Sequence, residues 1–129
     1  MLNDPLAAAL AKISNAERVG KKEIVIAAAS NLLKRVLVIM NDHQFIGAFE
    51  EANSEKGSTL KVNLLGNLNS CGVIKPRFST KHNSFEKWEK RYLPAKDFGL
   101  IVVSTPQGIM THLDAKQKKT GGRLLMYCY

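Results

Sequence analysis

Cysteine is scarce in this chain. Cys71 and Cys128 lie far apart without C-x-x-C spacing, so reduced cytosolic thiols are expected rather than a disulfide framework. Long apolar runs are also missing. Runs such as IVIAAA and VLVIM stay well short of the roughly 20 residues needed to cross a bilayer, so no membrane partner is expected. The opening MLNDPLAAAL has an acid and a proline ahead of its apolar residues and no basic leader, and no secretory signal is read there. Histidine is limited to His43, His82 and His112, and no pair of His or Cys has ligand spacing. Neither a metal nor another cofactor is expected. There is no G-x-S-x-G elbow, and TGGR is not a phosphate-binding loop because no G-x-x-x-x-G-K-[ST] precedes a helix. A small-molecule substrate is therefore not expected, and an enzyme is the weakest reading.

What the chain has is positive charge, unevenly placed. Nineteen lysines and arginines stand against eleven acids, a net of +8. Eight of those cations and seven of the acids fall before Asn67, while eleven cations and four acids follow. Nearly all the excess thus belongs to the second half, the footprint of a polyanion-binding face. At 129 residues with 45% apolar content the chain can bury a core as one domain or as two small subdomains.

The local patterns divide the chain into an α-β-α-β-β unit over residues 1–66 and a mainly β, basic unit over residues 67–129, an α+β fold class overall. Asn3 or Asp4 can cap a first helix in which Pro5 fits the first turn, and Leu6, Leu10 and Ile13 share a face until Gly20 stops it. EIVIA is a strand. A second helix begins after Ser30 and carries Leu33, Val36, Leu37 and Met40 as its apolar stripe. HQFIGAFEE and TLKVNLL read as a hairpin around ANSEKGS, with Leu60, Val62 and Leu64 alternating as in a half-buried strand. GNLNSCG breaks the pattern and marks the boundary. Beyond it, VIKPRFSTKH is extended, with Pro76 favouring an edge or kink. SFEKWEKRYLP is a helix capped by Ser84. FGLIVVS is a buried strand, Thr111 and Asp114 cap a short basic helix that Gly121 and Gly122 end, and RLLMYCY is the last strand.

One stretch changes character abruptly: LIVVSTPQGIMTH, Leu100 to His112. Four apolar residues lead into Ser104 and Thr105, then a proline, an amide and a glycine. Hydroxyls and backbone N–H groups on such a turn can bond phosphate, ribose or base edges. A tight loop whose hydroxyls satisfy their own backbone fits the residues equally well. Nucleophilic catalysis fits poorly, since only His112 lies near Ser104 in sequence. Lys75, Arg77 and Lys81, with Lys87, Lys90 and Arg91, are candidates for phosphate contacts. Phe85, Trp88 and Tyr92 have helical spacing that favours core packing over base stacking. Lys116, Lys118 and Lys119 point to different faces of a short helix, so some of them face solvent or phosphate.

The stretches DPLAAALAKISNA, IKPRF, RYLPAKDFGLIVVSTPQGIMTHLDA and TGGRLLMYCY together resemble the small-subunit ribosomal protein numbered eight in universal naming. The RYLP…FG block is closest to the archaeal and eukaryotic branch, fifteen-a in older eukaryotic usage. The resemblance runs from Asp4 to Tyr129. It implies a cytoplasmic constituent of the small subunit that binds the central domain of its rRNA, touches neighbouring ribosomal proteins and supports assembly and translation. It places Ser104, Thr105, Gln107 and Gly108 in the family's RNA-reading turn, with Thr120, Gly121, Gly122 and Arg123 nearby fixing register. Lys75, Arg77, Lys81, Lys116 and Lys119 complete the expected RNA-binding set. Pro106 replaces the family's usual serine, which implies a turn that reads shape and backbone more than base identity, with the Gln107 amide in compensation. Arg123 stands where bacterial members have glutamate, implying a phosphate contact. The alternative is a regulatory RNA binder outside the ribosome, such as an mRNA-binding repressor.

Overall fold

A computed structural model describes residues 5–27, 31–55, 57–74, 77–95 and 98–129. The candidate caps Asn3, Asp4 and Ser30, the kink at Pro76 and the phosphate contact at Lys75 lie outside these residues. The fold is mixed α+β with antiparallel sheets, as the sequence patterns predict. It divides into two compact units, Met1–Ser70 and Cys71–Tyr129.

In the first unit, helix α1 (Pro5–Arg18) and helix α2 (Asn31–Asp42) accompany a three-stranded sheet of order β1-β3-β2. Its strands are β1 (Glu23–Ala27), β2 (Phe49–Ser54) and β3 (Gly57–Asn63). The predicted stripes form the core: Leu6, Leu10 and Ile13 on α1, and Leu33, Val36, Leu37 and Met40 on α2. Leu60 and Val62 of β3 join them, and Leu64 is buried just beyond it. Each such side chain contributes roughly 1.5–3 kcal/mol on leaving water.

Two local departures have clear causes. The segment from His43 to Ala48 is not strand, because α2 ends in a paired hydrogen-bond motif: Phe45 N–H donates to the Met40 carbonyl and Gln44 N–H to that of Asn41. Gln44 takes the left-handed conformation, φ 62°, that glycine usually supplies at such a stop. The β2–β3 ladder in turn runs further than expected, pairing Ala52 with Thr59, Asn53 with Ser58 and Ser54 with Gly57. Gly57, φ 114°, lets the chain reverse within that short span.

The second unit is a five-stranded antiparallel sheet with two helices. Strands β4 (Cys71–Val73), β5 (Ser79–Thr80), β6 (Leu100–Thr105), β7 (Gly108–Thr111) and β8 (Gly122–Cys128) follow the order β4-β8-β6-β7, with β5 also on β8. Helix α3 (Phe85–Tyr92) and helix α4 (His112–Gln117) supply Phe85, Trp88 and Ala115 to one core cluster with Ile101, Val103, Met110 and Leu124. Cys71 and Gly72 belong to β4 rather than to a boundary loop. The Tyr127 ring lies across Gly72, where a Cβ would come within 3.1 Å of its hydroxyl. Ser84 sits at the N-cap of α3 but makes no capping bond. Its Oγ donates instead to Asn83 Oδ1 at 3.4 Å.

The cap of α4 is as predicted: Asp114 N–H donates to Thr111 Oγ1 at 3.2 Å. Its stop is not. Thr120 N–H donates to the Ala115 carbonyl and Lys119 N–H to that of Lys116, with Lys119 in the left-handed region at φ 53°. Gly121 and Gly122 therefore do not end the helix. They serve the sheet.

Candidate nucleic-acid interface

The β6–β7 hairpin carries the Ser-Thr turn. Thr105 pairs with Gly108, leaving Pro106 and Gln107 as a two-residue connection. Tight hairpins favour positive φ at the first central residue, which the proline ring forbids. The positive φ falls instead on Gly108, at 123°. The Thr105 hydroxyl closes the loop from inside. It accepts from Gln107 N–H at 3.1 Å and donates to the Gly108 carbonyl at 2.7 Å. Thr105 is buried, so the reading of a self-satisfied hydroxyl holds at this residue. Ser104 differs: it is half-buried on the other face of β6, and its hydroxyl has no hydrogen bond among the described residues.

The double glycine explains how three strands converge here. A Cβ on Gly121 would lie 2.3 Å from the Thr80 carbonyl oxygen, and one on Gly122 would lie 2.2 Å from that of Ser104. No side chain fits at either place. Bare backbone lets β8 enter between β5 and β6, and the register then aligns Ser79 with Arg123 and Arg123 with Ser104. Cross-strand neighbours share a face. Ser79, Arg123, Ser104 and Ile109 thus form one row, on the face opposite the Val103, Leu124 and Met110 cluster. Ser79 and Arg123 are exposed, and Arg123 has no ion pair among the described residues. A guanidinium flanked by two hydroxyls offers several donors, a set suited to phosphate and sugar oxygens.

The other expected residues divide. Arg77 and Lys81 are exposed on either side of the β5 segment, and Lys118 and Lys119 are exposed after α4. Thr120 is half-buried and its hydroxyl donates to the Gly121 carbonyl at 3.3 Å. Gln107 is exposed at the hairpin tip. Lys116 has a different partner from the expected phosphate: its Nζ is paired with Glu89 Oε1, and Glu89 is buried on α3. Lys87 and Arg91 lie over aromatic rings, Lys87 4.8 Å from the Trp88 centroid and Arg91 5.5 Å from those of Phe78 and Tyr92. Phe85 and Trp88 are core residues, as their spacing predicts, with Phe78 stacked on Trp88 at 4.7 Å.

The sequence patterns do not single out Ser79. Ser-Thr occurs at 58–59, 79–80 and 104–105, and the last two pairs flank the same stretch of β8.

His112 is not a base for Ser104. Ile101 N–H donates to its Nδ1 at 3.0 Å, so the ring proton sits on Nε2, 3.3 Å from Glu89 Oε1. Both nitrogens are occupied in holding the hairpin base. Among the described residues no cluster of three or more His, Cys, Asp or Glu side chains could hold a metal ion. No helix of the described residues is long and apolar enough to cross a membrane.

A basic protein of antiparallel α+β fold whose charge excess lies in its second half has the character of a nucleic-acid-binding class. The particular family is shown by comparison: the profile of the ribosomal protein S8 family matches residues 4–129. The chain belongs to that family. It is a ribosomal protein, a component of a ribonucleoprotein that binds rRNA and works in translation, and its family is one of structural RNA-binding proteins rather than enzymes.

Proposed function

We propose that the second unit docks on the central domain of small-subunit rRNA through the Ser79–Arg123–Ser104 row and the hairpin tip. The protein thereby supports assembly of the small subunit in the cytoplasm, beside neighbouring ribosomal proteins. The observation that carries this reading is the row itself: an exposed Arg123, without an ion pair among the described residues, held in register between two serines by glycines that tolerate no side chain. Arg123 contacts phosphate, Ser104 and Ser79 contact phosphate or ribose, and the Gln107 amide reaches a base edge or backbone from the tip. Arg77, Lys81 and Lys119 add electrostatic attachment, and Lys75 belongs with them by its place beside Arg77 in sequence. Thr105, Gly108, Thr120, Gly121 and Gly122 shape the site without presenting a side chain to RNA. Lys116 acts within the protein. The RYLP…FG block supports placing the chain in the archaeal and eukaryotic branch.

The test is titration of the purified protein with a fragment of its own small-subunit rRNA central domain, at several salt concentrations, beside an unrelated duplex of equal length. A preference for the rRNA fragment that survives salt supports the reading. Equal binding to both, lost together as salt rises, refutes it.

A further inference from the structure

The two cysteines, distant in sequence, meet in the second unit. Cys71 opens β4 and Cys128 closes β8, and the antiparallel register makes them direct partners. The kind of pair follows from the hydrogen bonds. Ile74 N–H donates to the Leu125 carbonyl at 3.0 Å, which makes that position a hydrogen-bonded pair. Pair types alternate along the ladder, so Val73–Met126 is non-hydrogen-bonded, Gly72–Tyr127 hydrogen-bonded and Cys71–Cys128 non-hydrogen-bonded. Side chains approach most closely at such sites. Cβ atoms there lie about 4.5 Å apart, and a disulfide spans a Cβ separation of roughly 3.5–4.5 Å. Closure therefore needs little backbone movement.

We propose that Cys71 and Cys128 are a covalent modification site, a cross-strand dithiol that hydrogen peroxide converts into a disulfide and thiol reductants restore. Such a bond joins the first residue of the second unit to its penultimate one and encloses nearly the whole unit in a single ring. The proposal is independent of the RNA reading.

The two thiols are not equivalent. Cys71 is 8% exposed at the start of a three-residue strand at the sheet edge, whereas Cys128 is fully buried. Burial, with Cys71 beside it, pushes the Cys128 thiol far above the ordinary range. Cys71 is the group that meets the oxidant, as β4 opens locally. Its thiolate attacks one peroxide oxygen, the O–O bond breaks, and the departing hydroxide takes a proton to become water, leaving Cys71 as a sulfenic acid. The Cys128 sulfur then attacks Cys71 Sγ. The S–O bond breaks, the S–S bond forms, and the Cys128 proton leaves with the hydroxyl as a second water. The thiols lose two electrons and the peroxide gains two.

The full chain treated with peroxide under native conditions, then denatured and alkylated, gives the test by mass spectrometry. The expected product is a monomer that has lost two hydrogens, takes up no alkylating agent and yields a linked Cys71–Cys128 peptide that reductant separates. Its melting temperature should lie above that of the reduced protein. Any of four results overturns the site: both cysteines still alkylated, Cys71 over-oxidised beside an intact Cys128, disulfide-linked dimers, or a linked product that melts lower.

Discussion

Gly122 offers the most direct challenge to the way the interface is assembled. Alanine there would place its Cβ 2.2 Å from the Ser104 carbonyl oxygen and 3.1 Å from the Thr105 methyl. Cβ atoms essentially never come closer than 3.0 Å to another heavy atom, and the obstacle is main chain that cannot swing aside. β8 and β6 must therefore part by close to an ångström at the Ser104–Arg123 pair. Overpacking of this kind costs about 1–3 kcal/mol, and a weakened ladder bond adds about 1 kcal/mol. We expect Gly122→Ala to lose about 2–4 kcal/mol, measured by urea unfolding followed by circular dichroism. At roughly 4 °C per kcal/mol for a chain of this size, the melting temperature falls by about 8–16 °C. Affinity for the rRNA fragment should fall further than the folded fraction explains, because Arg123 moves away from Ser104. A melting temperature within about 2 °C of the wild type would refute the reasoning, since the strands would then not need their bare contact.

Ser104→Ala and Thr105→Val should separate reading from scaffolding. The first lowers RNA affinity by about 1 kcal/mol with the melting temperature unchanged, and the second lowers the melting temperature by stranding Gln107 N–H and the Gly108 carbonyl. Lys116→Gln should cost about 1–2 kcal/mol of stability by leaving Glu89 short of a partner in a half-exposed pair, with no change in the salt dependence of RNA binding. Lys118→Gln with Lys119→Gln should instead flatten that dependence by roughly 0.7–0.9 log units for each phosphate no longer neutralised, and equal slopes would place both lysines off the RNA. Lys119→Gly should raise stability by about 1 kcal/mol in urea unfolding, because glycine adopts the left-handed conformation without steric cost.

Local patterns carried much of this fold. The stripe Leu33, Val36, Leu37 and Met40 and the alternation of Leu60 and Val62 belong to single elements, and period alone places them. The Thr111 cap of α4 is equally local. What could not be read depends on partners distant in the chain. Glu89 and Lys116 meet across 27 residues, and nothing around Lys116 marks it as engaged. Gly121 and Gly122 look like a helix stop because they follow a helix, yet their lack of side chains answers to Thr80 and Ser104 on other strands. The actual stops at Gln44 and Lys119 were hidden for a different reason. Both place an ordinary residue where glycine or asparagine is the usual sign, and only the surrounding hydrogen bonds reveal it.

The Ser-Thr hairpin is held at its tip, flank and base by three unrelated devices. The Thr105 hydroxyl braces the tip, and bare glycine backbone presses on the flank at Ser104. At the base, Val102 pairs with Thr111, after which the chain turns into α4 and the next ladder position has no strand opposite. The His112 imidazole takes that place by accepting from Ile101 N–H, and Glu89 fixes its other nitrogen. Lys116 in turn balances Glu89, so a cation of the basic half serves the hairpin from behind. Ordering a loop on binding subtracts from affinity, and a loop already ordered avoids that loss. This bears on Pro106. A serine at that position would add a hydroxyl to the tip, whereas proline offers none and fixes φ in a turn that Thr105 already braces. Under the proposed docking, recognition falls to groups whose positions the sheet dictates: the Ser104 hydroxyl, the Arg123 guanidinium and, across β8, Ser79.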